Sequence, residues 1–152
     1  MNSPDFLKVF LFPKLGAERK WLDPIRIMKG LFLAQMEQDE SEAGRVPLVN
    51  PPYQFIPYSY GPFCPSVYGE LESLALNDEV EFQQIPGKDY RIWGLTDKGE
   101  QDAQELVASM GEDFRKRIEH ARIIVCNKTF DDLIRYVYSR YPDYASKTIY
   151  RY

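Results

Sequence analysis

The stretch from Tyr58 to Gly99 constrains this chain most, because it prescribes four elements in a set order. Gly61-Pro62 predicts a turn. Pro65 and Ser66 then open a short helix in which Val67, Leu71 and Leu74 recur at i, i+4 and i+7, a stripe that faces a core. Val80 and Phe82 alternate with Glu79, Glu81 and Gln83, the period of a half-buried strand. Ile85-Pro86-Gly87-Lys88 places Pro and Gly at the two central positions of a type II turn. Tyr90 to Leu95 returns as the partner strand. Thr96 caps the next helix, with Asp97 in its first turn at the positive end of the dipole.

Helix, strand, tight turn, strand, helix is the order of the back half of a winged-helix domain. In such a domain the helix before the wing enters the DNA major groove. Here its expected exposed positions are Ser66, Gly69, Glu70, Glu72 and Ser73, with no Lys or Arg among them. Two carboxylates facing a phosphate lattice repel it. The order of elements suggests a nucleic-acid binder, whereas the charge of this helix argues for another partner.

The rest of the chain is mainly helical. Residues 1–22 hold an apolar run, FLKVFLF, whose period decides neither strand nor helix. Asp23 caps a helix with Pro24 at its first position, and its face from Ile25 to Phe32 is expected to bury. Residues 38–52 are polar, then rich in Pro and Asn, and read as a loop. Tyr53 to Tyr60 suits a short edge strand, weakened by Pro57. Helices follow from Thr96 to about Met110 and from Glu112 to Cys126. Thr129 caps a last one, carrying the stripe Phe130, Leu133, Ile134, Val137, Tyr138 and Tyr141 up to Pro142. The expected fold class is α+β, mainly helical. A winged-helix-like domain spans residues 23–110, residues 1–22 precede it, and helices over 111–152 pack on the same domain.

At 152 residues with 44% hydrophobic content the chain can bury a core without metal or disulfide. The charge is uneven. Residues 1–111 carry 10 Lys and Arg against 17 Asp and Glu, a net of −7; residues 112–152 carry 9 against 6, a net of +3. Nucleic-acid domains more often show a strong basic excess, and the basic tail reads as helix surface. Cys64 and Cys126 form no metal-ligand spacing and read as small buried hydrophobes. No run of apolar residues is long enough for a membrane span. The first residues lack the basic start and cleavage site of a secretion signal, so a cytoplasmic location is expected.

No catalytic constellation is visible. His120 is the only histidine and sits in a helix of mixed charge, read as a surface or satisfied histidine. Asp131-Asp132 reads as a helix cap, and Asp39, Glu40 and Glu42 as a solvated loop. No catalytic residue, metal or cofactor is expected. Two surfaces stand out instead. Tyr58, Tyr60, Pro62, Pro65, Tyr68, Glu70 and Glu72 form a rigid Pro/aromatic and acidic surface, which loses little entropy on binding; the competing reading is a stiff elbow that aims the helix. On the hairpin, Lys88, Arg91 and Trp93 can touch phosphate and stack on a base, or form a protein contact. The third option is Trp93 in the core with Arg91 lying over it. Arg115, Lys116 and Arg117 would add phosphate contacts.

KGLFLAQ (Lys29 to Gln35), followed by YSYGPFCPSVYGELESL (Tyr58 to Leu74), resembles the Panacea or SocA-like antitoxin domain. Lys29, Tyr60, Gly61, Pro62, Pro65, Val67 and Tyr68 match its pattern, and the likeness covers roughly residues 23–76. LTDKG resembles instead the L-T-x-x-G that follows the wing in winged-helix regulators, and FDDLIRYVYSRYPDYASKT is similar to phage-associated, YwgA-like winged-helix proteins. The resemblance implies a non-enzymatic protein that neutralises a toxin or serves a phage-defence or mobile-element system. The partner expected on these grounds is a toxin or defence component. The rival expectation is a DNA-binding transcriptional regulator, dimeric through the stripe from Phe130 to Tyr141.

Overall fold

The computed structural model describes residues 1–151 and is mainly helical, with two small antiparallel sheets. The helices are α1 (Ser3–Phe10), α2 (Pro24–Met36), α3 (Ser66–Leu76), α4 (Asp97–Ser109), α5 (Glu112–Asn127) and α6 (Phe130–Arg140). One sheet pairs β1 (Ile56–Tyr58) with β2 (Gly61–Phe63), and the other pairs β3 (Val80–Gln84) with β4 (Arg91–Leu95). A 3-10 helix, Pro142–Ala145, follows α6. Among the described residues no helix is long and apolar enough to cross a membrane.

The undecided first stretch is a helix. Asn2 caps α1, and Phe6, Leu7, Val9 and Phe10 bury against the rest of the core. The loop after α1 is held from below by Arg122 of α5, which has no exposed surface. Its guanidinium donates to the carbonyls of Phe10 (2.6 Å), Leu15 (2.7 Å), Ala17 (2.9 Å) and Arg19 (2.9 Å). Four acceptors meet the planar fork of donors, which offsets the cost of taking a guanidinium out of water. Past this loop, Leu22 exchanges two backbone hydrogen bonds with Trp93 and so adds a third strand position beside β4.

Helix α2 begins as expected, with Asp23 accepting from the Arg26 amide. It is not amphipathic, however. Every residue from Ile27 to Gln35 is buried, while Ile25 is only half-buried. The helix is enclosed by α1, α5 and the β1–β2 hairpin, so its polar residues Lys29 and Gln35 are internal too. Gln35 uses its amide to tie Tyr53, donating to its carbonyl and accepting from its amide, both at 3.0 Å.

The expected turn at Gly61-Pro62 is displaced. Those residues begin β2, Pro57 faces Pro62 across the ladder, and Ser59-Tyr60 make the turn. Gly61 sits at φ +104°, a conformation few residues other than glycine adopt. The second hairpin turns where expected. Lys88 N–H donates to the Ile85 carbonyl (3.1 Å), and Gly87 takes the positive φ that the third position of a type II turn requires.

The stripe on α6 is core rather than an exposed seam. Leu133, Ile134, Val137 and Tyr138 are all at most 3% exposed. These four are packed inside this chain, so this part of the stripe, expected as a dimer seam under the regulator reading, is core. Beyond α6, Tyr138 donates to Thr148, and both Thr148 and the Ile149 amide donate to the Ser59 carbonyl. The tail is thereby tied to the turn of the β1–β2 hairpin.

Candidate functional site

Where the β1–β2 hairpin lies over the N-terminal half of α2, a hollow of about 130 Å³ remains. Its walls are Met28 and Pro24 from α2, Tyr58, Pro62 and Phe63 from the hairpin, and Tyr60 and Tyr68 at its rim. Tyr58 and Phe63 stack face to face at 4.6 Å, and Phe63 leans on Tyr68 at 5.9 Å. A wider hollow of about 510 Å³ adjoins it, sharing Pro24, Ile25, Tyr60 and Tyr68 and adding Asp23, Arg26, Asp89, Tyr90 and Phe130. Around both, Ile56, Tyr58, Tyr60, Tyr68 and Tyr90 keep between 39% and 51% of their surface exposed.

Lys29 is the one charged side chain on the narrow hollow, among the described residues. It is 2% exposed. Its Nζ lies beside Gly61, so that a Cβ on that residue would stand 3.6 Å away. No described residue gives it a hydrogen bond or an ion pair. Burial pushes its pKa down to about 7, while the charge of Asp23 acts the other way. A lysine in this state exchanges its proton near neutral pH and offers an N–H donor inside an apolar wall.

The hairpin residues resolve differently. Trp93 is 2% exposed, and the Arg91 guanidinium lies over its ring at 4.7 Å and over Phe82 at 4.3 Å. The same guanidinium bonds the Glu72 carboxylate of α3. Of the three readings of this cluster, the packed core with an overlying arginine is the one found. Trp93 has no free face for a base, which corrects its place among nucleic-acid contacts. Lys88 stands exposed at the tip, with no ion pair among the described residues.

The other nominated residues divide in the same way. Arg117 is 5% exposed and directs its guanidinium to the carbonyls of Ala34 and Val46, so it is unavailable to phosphate. Arg115 and Lys116 are exposed and pair with Glu119 (3.5 Å) and Glu112 (3.6 Å) on their own helix. Pro62 is buried as a wall of the hollow, not a surface contact. Glu70 is half-buried and accepts from the Ser3 hydroxyl at 2.5 Å, so of the two acids on α3 only Glu72 stands exposed. Tyr58, Tyr60, Pro65 and Tyr68 are exposed as expected.

Sequence reading missed two features. Lys29 entered only as a match to the antitoxin pattern, with no role or burial attached to it. The other is Glu37, fully buried just past α2, whose carboxylate is bonded by His120 (2.6 Å), Tyr141 (2.6 Å), Arg140 (3.0 Å) and Tyr136. Burial alone raises its pKa, but these donors outweigh it and hold the carboxyl below its ordinary value. Arg140 also donates to the carbonyls of Glu40 and Ser41, so the acidic loop is pinned to α6. His120 is thus a satisfied histidine in a structural knot. The spacing of Tyr136, Arg140 and Tyr141 was the one signal for it.

No family model, curated protein or solved structure matches this chain.

Proposed function

We propose that this chain is a winged-helix module that works by binding a protein partner, antitoxin-like or an accessory of a defence system. The observation that carries the reading is the aromatic surface of Tyr58, Tyr60, Tyr68 and Tyr90 around two confluent hollows. Exposed aromatics ringing a concavity are the composition of protein-contact hot spots.

Two further points favour it. Leu22, β3 and β4 supply the three strand positions of a wing, with α2 and α3 ahead of the hairpin. On α3, the helix that would meet DNA, the exposed residues include no Lys or Arg, and Glu72 occupies the nearest arginine. The resemblance of the Lys29–Gln35 and Tyr58–Leu74 segments to antitoxin domains supports the kind of partner.

The test is affinity capture from a host extract with the wild-type chain and with a Tyr58→Ser/Tyr68→Ser variant. A protein retained by the first and lost by the second is the expected result. Equal retention by both, or no retained protein, would overturn the reading. The regulator alternative draws on the exposed Lys88, Arg115 and Lys116 and expects a DNA mobility shift at low salt that Lys88→Ala weakens.

A further inference from the structure

The hollow over Lys29 has a charge at its wall that the fold itself leaves unanswered. We propose that it receives the terminal carboxylate of a partner chain, whose preceding residues lie along the adjoining wider hollow. This rests on the protein-binding reading above and names the group that the site takes.

A buried ammonium costs several kcal/mol unless something pairs with it. Lys29 is 2% exposed, has no bonding partner among the described residues, and lines a cavity with space at its side. An incoming oxyanion meets that need. The number of donors selects which one. A phosphate is bound by several N–H groups or a guanidinium fork, and here, among the described residues, a single amine is the sole cation on a wall of Tyr58, Tyr60, Tyr68, Phe63, Met28 and Pro62. One carboxylate suits one amine, and the aromatic walls suit an apolar side chain on the residue that bears it.

Local charge favours a chain end over an acid within a chain. Asp23, Arg26 and Asp89 line the wider hollow, and since Arg26 is paired with Asp23 at 2.7 Å, Asp89 leaves it one net negative charge. An acid-rich segment crossing it would be repelled, whereas a terminus can bring a single negative charge. The shape agrees. The narrow hollow adjoins the wide one through Tyr60, Tyr68, Pro24 and Ile25, so a strand laid in the wide part ends in the narrow one. Gly61 preserves the room, since a Cβ there would approach Nζ to 3.6 Å and the Tyr138 ring to 3.0 Å.

The probes are the dipeptide N-acetyl-Gly-Phe with a free carboxylate, its C-terminal amide, and N-acetyl-Gly-Glu-Phe-amide. They are titrated by NMR into protein labelled at the Met methyls and the Lys side chains. The free acid should shift Met28 and Lys29 and bind about tenfold tighter than the amide, a difference of about 1.4 kcal/mol. Lys29→Met, which keeps a linear apolar side chain, should erase that preference. Equal binding of acid and amide, an unchanged preference in Lys29→Met, or no shift at Met28 would overturn the proposal. The internal glutamate binding as tightly as the free acid would overturn the chain end as the occupant. A partner captured through Tyr58 and Tyr68 but indifferent to Lys29→Met would sink this inference and leave the protein-binding reading standing. Failure of that capture sinks the reading itself.

Discussion

Two buried cations in this molecule have opposite surroundings. Arg122, under the loop after α1, spends its guanidinium on four backbone carbonyls. Lys29, under the β1–β2 hairpin, is as deeply enclosed and has none among the described residues. A charge that is buried and saturated holds a fold together. A charge that is buried and unanswered opposes folding, and the strain it adds is relieved when something binds. The contrast separates the structural half of the molecule from its candidate binding half.

Substitutions should divide along that line. Arg122→Met leaves four carbonyls without donors and should cost about 4 kcal/mol, read from urea unfolding. A loss below about 1 kcal/mol would make the clamp incidental. Glu37→Gln, in the second saturated cluster, should cost about 2 kcal/mol at neutral pH. Its pKa is depressed in the folded state, so the stability it provides is present above the unfolded carboxyl value and lost as pH falls through the folded one. The difference between wild type and Glu37→Gln should therefore shrink on acidification, and a gap that grows would reverse the assignment.

Lys29→Met should do the reverse and stabilise the chain, by on the order of 2 kcal/mol below pH 7. Its folded pKa lies near 7 and the unfolded value at 10.5. Between these the unfolded state holds more protons, so wild-type stability rises with pH and the advantage of the variant fades by about pH 10. Thermal scans across that range would show it, and destabilisation at every pH would contradict it. Gly61→Ala forces a Cβ into a positive φ against Tyr138 and should cost about 1 kcal/mol. Smallest of all, Arg91→Ala breaks a half-exposed pair with Glu72 and should cost less than about 1 kcal/mol, with no loss of the hairpin by circular dichroism.

The local elements were legible because their signals are local. The caps Asp23, Thr96 and Thr129, the Pro86-Gly87 turn and the stripe on α3 each depend on neighbours in sequence. What escaped depends on contacts far along the chain. Helix α2 looked amphipathic because nothing nearby shows that α1, α5 and a hairpin close on it from three sides. The basic tail looked like solvated surface, yet Arg117 and Arg122 point inward to carbonyls of α2, its following loop and the segment after α1. Glu37 drew no notice, because its four donors lie 83 or more residues away. Of the site, the rim tyrosines could be nominated from sequence, whereas Lys29 entered only through a resemblance and its burial behind them was not visible.

Lysine side-chain NMR across pH 5 to 11 reaches that wall most directly. One resonance titrating near 7, and missing from the Lys29→Met spectrum, is the expected result. If every lysine instead titrates near its ordinary value, Lys29 is hydrated or paired, and the hollow beneath the hairpin holds no unanswered charge for a partner to meet.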